Sequence, residues 1–101
     1  MNQKVNLPTS KNLVFPIIQV LQSASGPLMK SEIDNALKSN LMLSEAQLSI
    51  PHDKSRAEYQ YRSAWALTYG KKSGYLENLS RNQWVISAKG KQVLRESDVI
   101  L

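Results

Sequence analysis

The sequence predicts an α+β fold that is mostly helical and carries one short antiparallel sheet of two or three strands. Apolar residues repeat at helical spacing along much of the chain, and serines stand where several of the helices are expected to begin. After Gly74 the pattern changes to that of two short strands. With 101 residues and 42% hydrophobic content, the chain has the size and composition of one globular domain.

The first two helices are predicted from apolar stripes and their flanking residues. One stripe runs from Leu13 to Ala24, and the Ser-Gly-Pro at 25–27 is expected to end that helix. Pro16 is expected in its first turn, where a missing N–H leaves no intrahelical bond unmade. The second stripe runs from Ile33 to Leu41, and Ser31 is expected to cap its helix.

Two capping boxes predict the next two helices. The box at 44–47, Ser-Glu-Ala-Gln, opens a short helix that Pro51 closes. The box at 55–58, Ser-Arg-Ala-Glu, opens a long helix that continues to about Lys72. Gly74 then ends this long helix, because glycine is the common left-handed residue after a helix C-terminus.

A hairpin is predicted from the aromatic and branched residues that follow. Residues 75–79 and 82–86 read as two strands joined at 80–81. A longer loop at 78–82 is an open alternative, because Ser-Arg is not a preferred two-residue turn. A short extended piece at 27–29 is a candidate third strand.

The order of elements is that of a winged helix-turn-helix. It runs helix, short strand, helix, small helix, long helix, hairpin and a last helix that Ser87 caps. In this fold the third main helix lies in the DNA major groove, and the hairpin wing contacts the flanking backbone or the minor groove. The sequence therefore predicts a tail at 1–8, a domain at 9–96, a recognition helix at 55–72 and a wing at 75–86.

The charge distribution favours a polyanion as partner. Residues 1–53 carry four basic and four acidic residues, whereas residues 54–95 carry nine basic residues and two acidic ones. A solvated basic surface is the alternative explanation. The chain has no cysteine, and its longest apolar run is too short to cross a bilayer. We therefore expect a cytoplasmic protein without a membrane partner.

Candidate contacts to bases come from a helical-wheel projection of the long helix. Arg56, Gln60 and Tyr61 are predicted to face the groove, because recognition helices read bases mainly with their N-terminal turns. Arg and Gln can make bidentate contacts to guanine and adenine. The same side is predicted to carry Ala64, Leu67 and Lys71, with Tyr61 and Thr68 at its flanks, and the residues predicted to pack in the core are Trp65, Tyr69, Trp84 and Ile86.

Other candidates are predicted to hold the DNA backbone. Lys71 and Lys72 lie at the far end of the long helix, where they would bind phosphates without reading sequence. Arg62 has two open interpretations, a DNA contact or an ion pair with Glu58 one turn earlier. At the wing, the residues expected to reach the minor groove or the backbone are Ser80, Arg81 and Asn82.

One stretch, RSAWALTYGKKSGYLENLSRNQWVISAKGKQVL, resembles the N-terminal domain of the Mrr family of modification-dependent restriction endonucleases, and the resemblance extends over about residues 8 to 95. In that family the positions of Ser63 and Gly70 belong to a buried stripe. Because both residues are small here, we expect the neighbouring face with Tyr69 or Trp65 to turn into the core. The residues that match the family pattern are Arg62, Trp65, Ala66, Lys71, Lys72, Gly74, Tyr75, Trp84, Ser87 and Gly90.

The resemblance implies double-stranded DNA as the partner. It also implies that the parent protein continues into a magnesium-dependent nuclease domain, with 97–101 as the start of the linker. Whether the DNA is methylated and whether the chain forms a homodimer stay open. Two other functions also remain, a protein-docking or dimerisation module and a stand-alone transcriptional regulator.

Catalysis is not expected within these residues. His52 is predicted to be a surface histidine, because no acidic residues or cysteines stand at ligand spacing around it. The chain has no glycine-rich phosphate loop and no nucleophile motif. We expect no catalytic residue, no metal site and no cofactor.

Overall fold

A computed structural model describes residues 6–101, and the predicted tail at 1–8 therefore lies largely outside the described residues. The fold is the predicted one, a mostly helical α+β winged helix with a two-stranded antiparallel sheet. Its elements are α1 (Ser10–Ser23), α2 (Lys30–Asn40), α3 (Glu45–Leu48), α4 (Glu58–Lys72), β1 (Leu76–Ser80), β2 (Gln83–Ile86), α5 (Ala88–Lys91) and a 3-10 turn (Glu96–Asp98).

Helix α1 forms the centre of the core. The Thr9 hydroxyl caps it by accepting the Asn12 N–H at 3.1 Å, so the helix begins earlier than its apolar stripe. Pro16 consequently lies in the second turn and not in the first, which corrects the prediction. Its missing N–H leaves the carbonyl of Asn12 without a helical partner, and Asn12 is exposed to solvent. The buried residues of α1 are Leu13, Val14, Ile17, Ile18, Val20 and Leu21.

The cap of α2 differs from the prediction, whereas that of α3 is confirmed. Ser31 is not the cap, because α2 begins at Lys30 and the Glu32 carboxylate accepts the Met29 N–H at 2.9 Å. In α3 the Ser44 hydroxyl accepts the Gln47 N–H at 3.1 Å, and the Gln47 amide oxygen accepts the Ser44 N–H at 2.8 Å. This reciprocal pair is a capping box.

Helix α4 begins three residues later than predicted. Ser55 is not its cap, because the Ser55 N–H and hydroxyl both donate to the Asp53 carboxylate in the preceding loop. The helix starts at Glu58, and the Gln60 amide oxygen accepts the Ala57 N–H at 3.3 Å. Its end is as predicted, because Gly74 has a φ of +87° just after the last turn.

The hairpin is present with its turn one residue further along than predicted. Ser80 pairs with Gln83, so the turn residues are Arg81 and Asn82, and Asn82 adopts a left-handed φ of +61°. The predicted third strand is reduced to a single antiparallel bridge between Leu28 and Trp84. This bridge joins the wing, which we define as β1, its turn and β2, to the segment that precedes α2.

The last helix is capped by Ser87 as predicted, but it spans only Ala88–Lys91. The Ser87 hydroxyl accepts the Gly90 N–H at 3.0 Å. Gly90 packs so closely against the hairpin that a Cβ there would collide with the Tyr75 carbonyl oxygen and the Ile86 side chain. A glycine is therefore required where α5 meets the wing.

Candidate nucleic-acid interface

The rotation of α4 decides which side chains a ligand would meet. Its buried stripe consists of Ser63, Ala66, Leu67 and Gly70. The wheel projection placed Leu67 on the groove side and Trp65 in the core, and both placements are wrong. Leu67 is 1% exposed and Trp65 is 44% exposed. The helix is therefore turned by about a quarter turn relative to the prediction. The expected core packing of Tyr69, Trp84 and Ile86 is confirmed.

Small residues cause this rotation. A Cβ at Gly70 would lie 2.7 Å from Cδ1 of Leu76, so any side chain there would force Leu76 to shift, and glycine allows the closest approach of α4 to β1. About two turns earlier, the Ser63 hydroxyl donates to Oδ1 of the buried Asp34 at 2.6 Å. Both contacts need their residue on the inner side of the helix, and Trp65 turns outward as a result.

The outward side of α4 forms a shallow groove. We call the four side chains that line it, Tyr61, Ala64, Trp65 and Thr68, the α4 face. Arg56 borders the groove from the preceding loop, and its guanidinium carbon lies 5.4 Å from the centroid of the Tyr61 ring. The groove therefore combines apolar surface with a cation at its N-terminal end.

The loop before α4 is organised by one carboxylate. Asp53 accepts the N–H groups of Ser55 and Arg56, both at 2.9 Å, and the Ser55 hydroxyl at 3.1 Å. These bonds lower the pKa of Asp53 to about 2, and the bond from the Ser55 N–H has the largest effect. Because these hydrogen bonds to Asp53 fix the conformation of the loop, Arg56 is held at a defined position beside the α4 face.

His52 is exposed, as predicted, but it also packs on the α4 face. Its ring stacks on Tyr61 with the centroids 3.5 Å apart and 12° between the planes. Its Nδ1 lies 3.0 Å from Oε1 of Glu58, the first residue of α4. The stack holds the Tyr61 ring and joins the loop to the first turn of the helix.

Three of the residues predicted to contact DNA have side chains bonded within the protein, and a fourth, Arg56, pairs with Oδ2 of Asp53 at 3.4 Å but stays exposed. Gln60 accepts the Ala57 N–H, as described above. The Arg62 guanidinium bonds Oε2 of Glu58 at 2.6 Å and lowers the pKa of that carboxyl. Arg62 also donates to the carbonyls of Leu7 and Pro8. Asn82 accepts the Lys30 N–H at 3.1 Å through its side-chain oxygen.

The other predicted contact residues are available to a ligand. Arg56 and Tyr61 border or line the groove of the α4 face. Lys71 and Lys72 are exposed at the C-terminal end of α4, and Ser80 and Arg81 are exposed at the wing tip, which we define as residues 80–82. Within residues 6–101 the ion pairs involve other side chains than Lys71, Lys72 and Arg81.

Three residues of the groove were not among the predicted DNA contacts, although the wheel projection had placed Ala64 on the groove side and Thr68 at its flank. Ala64, Trp65 and Thr68 belong to the α4 face. The sequence contained a signal for them, because Ser63 and Gly70 stand about two turns apart and mark the side of the helix that can approach another element most closely. In the described part of the chain, no group of three or more His, Cys, Asp and Glu residues could hold a metal ion.

Comparison with known proteins identifies one matching family. The family model of the Mrr N-terminal domain matches residues 11–96, which is most of the chain. Searches of curated proteins and of solved structures found no match. Among the described helices, none has the length and apolarity that a membrane crossing requires.

Proposed function

The chain belongs to the Mrr N-terminal domain family, a non-catalytic domain of Mrr-type restriction proteins, and we propose that it binds double-stranded DNA to direct such a protein to its target. The α4 face enters the major groove, and the wing tip lies against the flanking backbone or in the minor groove. One observation carries this proposal. Arg56, Lys71, Lys72 and Arg81 are all exposed, and all belong to α4, to the loop before it or to the wing tip.

The nine residues predicted from the sequence divide into two roles in this proposal. Six have side chains that contact the duplex: Arg56, Tyr61, Lys71, Lys72, Ser80 and Arg81. Three have side chains that the protein itself holds and that position the interface: Gln60, Arg62 and Asn82. Lysines bind phosphates and set affinity, whereas the α4 face and Arg56 meet base edges and set sequence preference.

A salt titration tests the proposal. If about five phosphates are neutralised, the logarithm of the binding constant should fall with the logarithm of the salt concentration at a slope of roughly −4.5. Fluorescence anisotropy of a labelled duplex between about 50 and 200 mM salt gives this slope. Parallel titrations with methylated and unmethylated duplexes of the same sequence test whether the modification is recognised.

One observation favours a second function. The exposed indole of Trp65, beside Ala64 and Thr68, gives the α4 face an apolar centre that also suits a protein partner or a second copy of the chain. Binding by apolar burial depends little on salt. A duplex affinity that does not change with salt concentration would therefore support the docking function instead. Sedimentation of the free chain tests the homodimer.

The full-length protein is proposed to be a magnesium-dependent endonuclease whose catalytic residues lie outside these 101 residues. This domain is then expected to bind a supercoiled plasmid without cutting it, in the presence or absence of magnesium. Nicking that is abolished by a substitution in the α4 face would contradict the assignment.

A further inference from the structure

Lys30 connects the two elements that are proposed to contact DNA. Its backbone N–H, in the first turn of α2, donates to the side-chain oxygen of Asn82 at the wing tip. Its Nζ donates to the backbone carbonyl of Gln60 in the first turn of α4, at 3.0 Å. The same Nζ donates to Oδ2 of Asp34 at 2.7 Å, and the carboxylate of Asp34 also bonds α4 through Ser63. One residue therefore contacts the wing on one side and α4 on the other.

Asn82 is suited to this link in two ways. Its φ of +61° is a left-handed conformation that asparagine tolerates better than most residues. Its side chain accepts one of the N–H groups that the start of a helix leaves without an intrahelical partner. The adjacent backbone pairing of Leu28 with Trp84, at 3.0 and 2.9 Å, holds β2 against the same segment close to the wing tip.

We propose that Asn82 is a positioning residue that, through Lys30, sets the distance between the wing tip and α4. The proposal rests on the proposed DNA-binding function. With Asn82 bonded, Arg81 is held at a constant position relative to the α4 face, so both meet one duplex without further ordering. Without the bond, the tip has to be ordered when DNA binds, and the contribution of Arg81 to affinity is lost.

Two substitutions separate the hydrogen bond from the backbone conformation. Asn82→Gly tolerates a φ of +61° but has no side-chain acceptor. Asn82→Asp tolerates the same conformation and keeps an acceptor for the Lys30 N–H. Each is combined with Arg81→Ala, and the affinity for one duplex is measured at one salt concentration.

The expected result is non-additivity. Arg81→Ala alone and Asn82→Gly alone should each weaken binding by about threefold to tenfold, and the double variant should be no weaker than Asn82→Gly. Asn82→Asp brings a negative charge close to phosphates, so its absolute affinity also falls. In the Asn82→Asp background, however, Arg81→Ala should weaken duplex binding by the same factor as it does in the unsubstituted chain. The proposal would be overturned if Arg81→Ala weakened duplex binding by the same factor in the unsubstituted chain, in Asn82→Gly and in Asn82→Asp.

Hydrogen exchange provides a readout that needs no DNA. The Lys30 amide should exchange faster in Asn82→Gly and at the original rate in Asn82→Asp and in Arg81→Ala. An unchanged rate in Asn82→Gly would overturn the positioning role alone. If the unsubstituted chain bound no duplex while the exchange pattern were as expected, the failure would lie in the proposed function, and the positioning role would be lost with it.

Discussion

The hydroxyl of Ser63 in α4 donates a hydrogen bond of 2.6 Å to the carboxylate of Asp34 in α2. The serine is fully buried and the aspartate is 5% exposed. A buried carboxylate is costly unless its oxygens are bonded, so Ser63 has to lie on the inner side of α4. The pair thereby determines which side of α4 faces outward, and it links a polar contact of the core to the composition of the proposed interface.

Ser63→Ala is expected to destabilise the domain by about 1–3 kcal/mol, because one oxygen of the buried carboxylate loses its donor. Urea unfolding followed by circular dichroism measures this change. Ser31→Ala is the matched control, since Ser31 is exposed in the neighbouring helix and does not cap it. The control should lie within about 0.5 kcal/mol of the unsubstituted chain. Equal effects of the two substitutions would show that the Ser63 bond contributes nothing.

Gly70→Ala is expected to destabilise despite the higher helix propensity of alanine. The added Cβ would lie 2.7 Å from Cδ1 of Leu76, which is 1% exposed and has little room to move. An overpacking cost of about 1–3 kcal/mol exceeds the gain of about 1 kcal/mol in propensity. Gly26→Ala is the control, because a Cβ there meets nothing within 4 Å. A Gly70→Ala variant as stable as the control would show that Leu76 of β1 can shift at little cost in stability.

The sequence was sufficient to predict the order of elements and some of their ends, because caps and stop residues act locally. Ser44, Ser87 and Gly74 act as predicted. Ser31 and Ser55 do not, since another residue occupies their expected role. Glu32 satisfies the start of α2, and Asp53 binds Ser55 in a loop. A capping pattern in the sequence cannot show which of two neighbouring side chains obtains the bond.

The rotation of α4 was beyond the helical-wheel argument for a different reason. That argument assumed that large aromatic residues occupy the core, and it therefore buried Trp65. Burial in this helix depends on how closely another element can approach, and Gly70 and Ser63 allow the closest approach. The two small residues can be recognised within the helix, but the partners that give them their effect, Leu76 and Asp34, lie in other elements of the fold and are not identified by the helix sequence alone.

The stability of the domain is expected to decrease at acid pH in part through Asp53. The pKa of this carboxyl is lowered from 3.8 to about 2 in the folded chain. A carboxyl whose pKa is lowered by folding stabilises the folded chain at pH values above its pKa in the unfolded chain. This stabilisation is lost as the pH falls through the window from 3.8 to about 2. The amide that Asp53→Asn introduces does not titrate. This variant should therefore be less stable than the unsubstituted chain near neutral pH and should approach it at the acid end of that window. Urea unfolding at a series of pH values measures the difference, and a difference that does not change with pH would exclude this linkage.

Charge reversal at the end of α4 should separate affinity from sequence preference. Lys71→Glu combined with Lys72→Glu is expected to weaken binding to every duplex by a similar factor, because phosphate contacts carry little sequence information. The matched control is Lys11→Glu with Lys38→Glu, which changes the net charge equally at two exposed lysines of α1 and α2. The control should lower affinity less, since only the long-range field changes. Similar losses in both pairs would indicate attraction by net charge and no localised interface.

Substitutions of the α4 face should instead change the ranking of duplexes. Thr68→Ala and Trp65→Phe alter the side chains that line the outward groove while keeping them small or aromatic. Both are expected to change affinity by different factors for different sequences, as contacts to base edges do, at about 1–3 kcal/mol for each good contact.

Gln60→Ala should leave the ranking unchanged and lower stability, because the amide oxygen of Gln60 accepts the Ala57 N–H. A panel of duplexes that vary one base pair at a time, each titrated with the three variants, gives the ranking, and urea unfolding gives the stability. If Gln60→Ala reorders the panel and Trp65→Phe does not, the face that reads DNA is the one predicted from the helical wheel.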